Sequence, residues 1–158
     1  MDLDGDEVYT KHMTKSSKFK LPVIVLLLLT RDKEVLLMRR QNTGWGDGSY
    51  DLVAGHVDGQ ESLQVALARE ALEEVNITIS QDDVEFMHLL HYVGETEYMY
   101  VFFKAEKWRG TPKIMETEKC DDLRWFPLSE LPDNLLPITR DVLHKYKNNV
   151  PYSSIVIH

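Results

Sequence analysis

The feature that most constrains this chain is the unbroken apolar run Leu21 to Leu29, LPVIVLLLL. Its lack of polar alternation makes it a strand buried on both faces, which needs cover on both sides. The run is too short to cross a bilayer and has Lys18 and Lys20 before it and Arg31 after it. A signal peptide would need a small-residue cleavage site next, but Thr30-Arg31-Asp32-Lys33-Glu34 follows. The 158 residues, 43% hydrophobic and 28% charged, suit one globular domain rather than a disordered or fibrous chain. At this length about two-thirds of the extended surface is hidden on folding, so a core forms without staples.

The remaining pattern sets strands around two helices. Glu34 to Arg40 reads as a partner strand after a turn at Arg31-Asp32-Lys33, and Gln41 to Ser49, with three glycines, as a loop. Tyr50 to Ala54 reads as a short strand, Gly55 to Glu61 as a second loop, and Ser62 to Val75 as a helix. Glu85 to Val93 and Tyr98 to Glu106 form a hairpin through Gly94-Glu95-Thr96-Glu97. A short strand over Asp122 to Phe126 precedes a helix over Pro137 to Asn148, with Pro in its first turn. This order predicts an α+β class, a mixed α/β/α sandwich around one mixed sheet rather than a doubly wound repeat. Residues 1–17 are polar and aperiodic and read as a flexible N-terminal arm, with His12-Met13 as a cloning junction and Met13 as the natural start. Residues 18–158 read as the single domain.

Eighteen Lys and Arg against 26 Asp and Glu give a net charge of −8. That balance argues against a nucleic-acid partner and against a surface drawn to anionic lipid. An anionic substrate would need a bound metal ion to reverse the local sign. The single cysteine, Cys120, excludes an internal disulfide and makes the cytoplasm the expected compartment.

On a helical wheel, Val65, Ala68, Leu72 and Val75 fall on one side, the expected core face. Glu70, Glu73 and Glu74 fall opposite, within a sector of about 100°. Glu70 and Glu74 form a like-charge i, i+4 pair that weakens an isolated helix. Leu63, Ala66 and Leu67 lie under the same sector, so the acidic cluster is expected to line a cleft. A solvated acidic face is the plain alternative. Three features favour a divalent-cation site: clustered oxygen donors, a preceding loop with Gly55 and Gly59 that brings a carbonyl and Glu61 near, and Arg69 to orient a carboxylate.

Gly55, Glu61 and Arg69-Glu70-Ala71-Leu72-Glu73-Glu74-Val75-Asn76-Ile77 together resemble the Nudix box, G-x5-E-x7-R-E-U-x-E-E-x-G-U, where U is apolar. The departure is Asn76 in place of the box Gly, which ends the helix. Asn is the next residue to tolerate a left-handed conformation there. The surrounding order of elements also looks like the Nudix fold over residues 20–148, with the mixed sheet between the box helix and a C-terminal helix. The resemblance implies hydrolysis of a nucleoside diphosphate linked to a further moiety, with Mg²⁺ or Mn²⁺ as cofactor. It implies the Gly55 carbonyl, Glu70, Glu73 and Glu74 as metal ligands, Arg69 as the residue holding the glutamates, and Glu61 as support. Glu73 or Glu74 is the candidate general base. A loop base is also used in the family, which makes Glu116 and Glu118 candidates, with Glu118 preferred.

The substrate expected from the resemblance is a small nucleotide. A MutT-like nucleoside triphosphate pyrophosphohydrolase, of the kind that clears 8-oxo-dGTP, leads; it would release pyrophosphate and a monophosphate. No motif of the coenzyme A subgroup stands upstream of the box, and Tyr92 occupies the place where the ADP-ribose subgroup carries Pro. ADP-ribose, a nucleotide sugar, a diadenosine polyphosphate, or a non-catalytic nucleotide-sensing module are the alternatives. A homodimer is common in the family. Arg39, Trp45 and Trp125 are the candidate substrate contacts: a strand-end cation for phosphate and two rings to stack on a base. His88 and His91, three apart on a strand, face opposite sides and make no metal pair.

Overall fold

The computed structural model describes residues 18–157; the expected arm over 1–17 lies outside them. The apolar run becomes β1 (Val23–Arg31), central in an eight-stranded mixed sheet with β2 (Glu34–Arg40), β3 (Tyr50–Asp51), β4 (Val53–His56), β5 (Glu85–Val93), β6 (Glu97–Ala105), β7 (Cys120–Pro127) and β8 (Tyr152–Val156). The two helices are α1 (Leu63–Val75) and α2 (Pro137–Lys147). One edge of β1 is bordered along its length by β6, in parallel. The other edge is divided: Ile24 to Leu27 pair with β4, and Thr30 and Arg31 pair with β2, both antiparallel.

The side chains of β1 alternate as a doubly buried strand requires. Val25, Leu27 and Leu29 join the core under α1, with Ala66, Leu67, Ala71 and Val75. Leu26 and Leu28 join the core under α2, with Tyr50, Phe102, Val142 and Leu143. The Asp32-Lys33 turn takes positive φ at both residues, the two-residue geometry that matches strand twist. Pro137 opens α2 in its first turn.

Two expectations are corrected and one strand is added. The strand over Tyr50 to Ala54 is two strands: β3 pairs with β2, β4 pairs with β1, and Leu52 is the break between them. The segment after α2 supplies β8, parallel to β5, which the sequence reading left unassigned. The inward face of α1 is also rotated. Val65 and Leu72 are 37% and 51% exposed, whereas Ala66, Leu67, Ala71 and Val75 are buried. Small alanines on the inward face let the helix sit close to β4, and that rotation carries Glu70 and Glu74 toward the sheet. The glutamates are therefore partly interior rather than opposite the core.

Candidate functional site

Local rules deliver α1 to its place. Ser62 accepts from the Val65 amide and caps the N-terminus. Asn76 closes the other end in the left-handed region, φ 60°, with its amide donating back to Leu72. The last carbonyls of α1 are not left open: the amides of Lys113 and Met115 donate to Val75 and Glu74. The loop over 109–119 is thereby pinned to the end of the acidic helix.

Arg69 is the hub of the site. Its guanidinium grips both oxygens of Glu61, Nη2 to Oε1 at 2.7 Å and Nε to Oε2 at 3.2 Å. It also donates to Glu70 Oε1 at 2.6 Å and to the His56 carbonyl at 3.0 Å, and Glu73 lies 3.6 Å away. Glu61 accepts from the Asp58 amide as well, so one bidentate pair locks the loop onto the helix. The Arg69 guanidinium holds the Glu61 carboxyl below its ordinary range.

Gly55 is required by contact. A Cβ built there would lie 1.9 Å from Glu70 Cδ, so the carboxylate rests directly on the strand backbone. Glu70 is pushed up by burial, against the pull of Arg69. Glu74 is set deeper, accepting from the Ala54 amide at 3.2 Å. Burial, with the like charges of Glu70 and Glu116 nearby, pushes its pKa up to about 8. Of this crowded, desolvated pair, Glu70 is paired with Arg69, while Glu74 makes no ion pair among the described residues.

The donors suit a hard divalent ion in kind: carboxylate oxygens beside a backbone turn at Gly55. Among the described residues, however, no three acidic, imidazole or thiolate side chains converge in a cation-holding group. Glu70 is turned onto Arg69, Glu73 is 55% exposed, and Glu74 faces the Ala54 amide. Convergence on one ion requires Glu70 and Glu73 to rotate.

The other expected residues are distributed unevenly. Glu118 is exposed, and its carbonyl accepts from Asn42; it is Glu116, ion-paired with Lys119 at 3.1 Å, whose charge reaches Glu74. Arg39 is already engaged bidentately by Asp121, at 2.7 and 3.1 Å. Trp45 is 54% exposed on the glycine-rich loop, with the Arg40 guanidinium 5.2 Å from its ring. Trp125 is not brought to the glutamates. It packs between Arg31, 4.0 Å from its ring, and Trp108, stacked at 5.6 Å. It stands five residues along β7, about 16 Å, from Cys120, whose thiol senses Glu74. His88 is buried between the Val150 carbonyl and Ser153, while His91 pairs with Glu97, so they form no metal pair.

One acid escaped the sequence reading. Asp51 is buried, accepts from Thr139 Oγ1 at 2.6 Å and from the Leu52 amide, and is pushed up by desolvation. Nearby, Tyr98 and Tyr100 lie against each other at 5.7 Å, and the Asp51 charge acts on the Tyr100 hydroxyl. No local signal marks Asp51, because its partner Thr139 is 88 residues away.

Comparison with known proteins identifies the family. The NUDIX domain profile matches residues 18–146. A NAD-capped RNA hydrolase NudC of Pseudomonas syringae is 30% identical over 123 residues, covering 75% of this chain and 40% of that protein. The chain thus spans about two-fifths of the length of the NudC relatives it matches. An oxidized purine nucleoside triphosphate hydrolase of Danio rerio is 29% identical over 121 residues, 72% of this chain and 71% of that protein. The crystal structure of a MutT NUDIX hydrolase from Burkholderia pseudomallei superposes with TM-score 0.73 at 25% identity, over 80% of this chain and 98% of that one. Enzymes of this family use divalent metals. With its box assembled around Arg69 and its fold shared with solved members, this chain belongs to the NUDIX domain family.

Proposed function

We propose that this chain hydrolyses a pyrophosphate bond in a nucleoside diphosphate joined to a further group, using Mg²⁺ or Mn²⁺ held by the Gly55 carbonyl, Glu70, Glu73 and Glu74. The observation that carries the proposal is the gathering of Glu61, Glu70 and Glu73 by Arg69 against Gly55, with Glu74 on the adjacent Ala54 amide. When bound, the divalent ion lends positive charge to the phosphoryl oxygens and acidifies the attacking water. The chain's own residues do the rest. Arg69 grips Glu61 and so ties the box loop to the helix. Glu73, which is exposed, and Glu116, whose charge reaches Glu74, are the carboxylates we assign to take a proton from water. Trp45, exposed on the glycine-rich loop, offers a ring for a nucleobase.

The leading substrate is a nucleoside triphosphate, including oxidised purines, giving a monophosphate and pyrophosphate. The Danio rerio relative supports this reading because the match runs along most of both chains. A second reading, the pyrophosphate of an NAD-type cap, is favoured by the NudC relatives at 30% identity. It qualifies the expectation that nucleic acid plays no part. Product analysis by ³¹P NMR with Mg²⁺ tests both readings, using common and 8-oxo nucleoside triphosphates, NAD, ADP-ribose, a nucleotide sugar and a diadenosine polyphosphate. Pyrophosphate with a monophosphate from one triphosphate supports the first; two monophosphates from NAD support the second. Silence across the panel from folded protein would overturn the hydrolase reading for these substrates.

A further inference from the structure

A cavity of about 670 Å³ opens on the α2 side of the sheet, between the C-terminal ends of β1 and β6 and the outer half of α2. That volume is in the range of small-ligand sites. It shares no residue with the box. Its apolar wall is Leu28, Leu131 and Leu143, with Tyr146 beside them. Its rim carries Lys33, Arg140, His144 and Lys147. Among the described residues Lys33, Arg140 and Lys147 make no ion pair with a carboxylate. Asp32 lies on the same rim, and Lys104 is taken by Glu106 at 2.7 Å. A locally cationic mouth on a chain of net charge −8 is a reversal of sign.

Thr30 stands in the wall of the cavity but is only 4% exposed, its Oγ1 lying beneath the surface beside the Glu106 carboxylate, so the open lining is the leucine wall and the charged rim.

We propose that this cavity binds an organic anion about the size of a mononucleotide, its apolar body on the leucine wall and its phosphate or carboxylate on the Lys33, Arg140 and Lys147 rim. A neutral apolar ligand would fill the wall but leave the rim cations unpaired. A fully polar ligand would waste the wall.

The test uses the intact chain and two fluorescent probes that share a naphthyl body. One is the anionic 1-anilinonaphthalene-8-sulfonate; the other is the neutral N-phenyl-1-naphthylamine. The expected result is one saturable site that prefers the anion by about tenfold or more. The Lys33→Glu/Lys147→Glu variant should remove that preference, and Leu131→Asp should weaken both probes. Glu74→Gln should leave binding unchanged, and loss of binding in that variant would place the probe at the box and overturn the proposal. Equal affinity for the two probes, or indifference to the cavity variants, would also overturn it. Displacement arms separate the two head groups: adenosine monophosphate displacing the probe assigns phosphate, and 2-naphthoate displacing it assigns carboxylate. Displacement by neither would contradict the proposed ligand class.

Discussion

At Gly55 a single hydrogen atom separates a workable site from a blocked one. Any side chain there meets the Glu70 carboxylate, so Gly55→Ala must push Glu70 off the strand. The expected cost is about 1–3 kcal/mol of stability from overpacking, read by urea denaturation, with turnover falling much further than the fold does. Glu74 makes a prediction with a definite sign. Its carboxyl is raised from the ordinary range to about 8, so between about pH 4.5 and 8 the native state holds a proton that the unfolded chain has released. The stabilising contribution is complete below the unfolded pKa and is lost as pH rises through about 8. Metal-free protein should therefore lose stability across that window, and Glu74→Gln should remove this part of the slope. At this chain length each kcal/mol moves the Tm by about 2–4 °C, within reach of a scan at several pH values. An unchanged slope in the variant would mean that Glu74 is not the titrating group. The box residues were readable because their spacing is local. Asp51 was not, because what makes it unusual is Thr139 brought in from another element.

Among the elements, α1 shows where a helical wheel goes astray. Hydrophobicity alone places Leu72 inward, yet Leu72 is 51% exposed and Ala71 is fully buried. The competing requirement is close approach to β4, which small residues allow and which carries the acidic residues inward. Leu72→Gln is accordingly expected to change stability by no more than about 0.5 kcal/mol, whereas Leu67→Ala should cost about 2–5 kcal/mol. Chemical denaturation of the pair checks which face is the core. Loss of the Ser62 cap in Ser62→Ala should cost about 1 kcal/mol. The strands with strong signals, β1, β2, β5 and β6, were legible from apolar content and turns. β8 was not, because its short Tyr-Ser-Ser-Ile-Val pattern gains strand character only from pairing with β5. The loop over 109–119 likewise carries no motif, and its role is visible only once its amides are seen to close α1.

For the whole molecule, the divided edge of β1 is what joins fold to chemistry. By pairing with β4 at one end and β2 at the other, β1 holds β4 in place, where Gly55 meets Glu70 and the Ala54 amide donates to Glu74. The α1 side then holds the acidic site, and the α2 side holds a cationic cavity in the same −8 chain. The central claim is that the crowded glutamates take up a divalent cation in exchange for the proton on Glu74. Calorimetric titration of Mn²⁺ at pH 7, repeated in buffers of different ionisation enthalpy, counts the protons released per ion bound. With the Glu74 carboxyl near 8, the account predicts release of about one proton per ion in the native chain, because a ligand must ionise to bind. In folded Glu74→Gln it predicts that this release disappears and affinity drops. Mn²⁺ binding with the same proton release in both proteins, or no binding by the native chain, would contradict it.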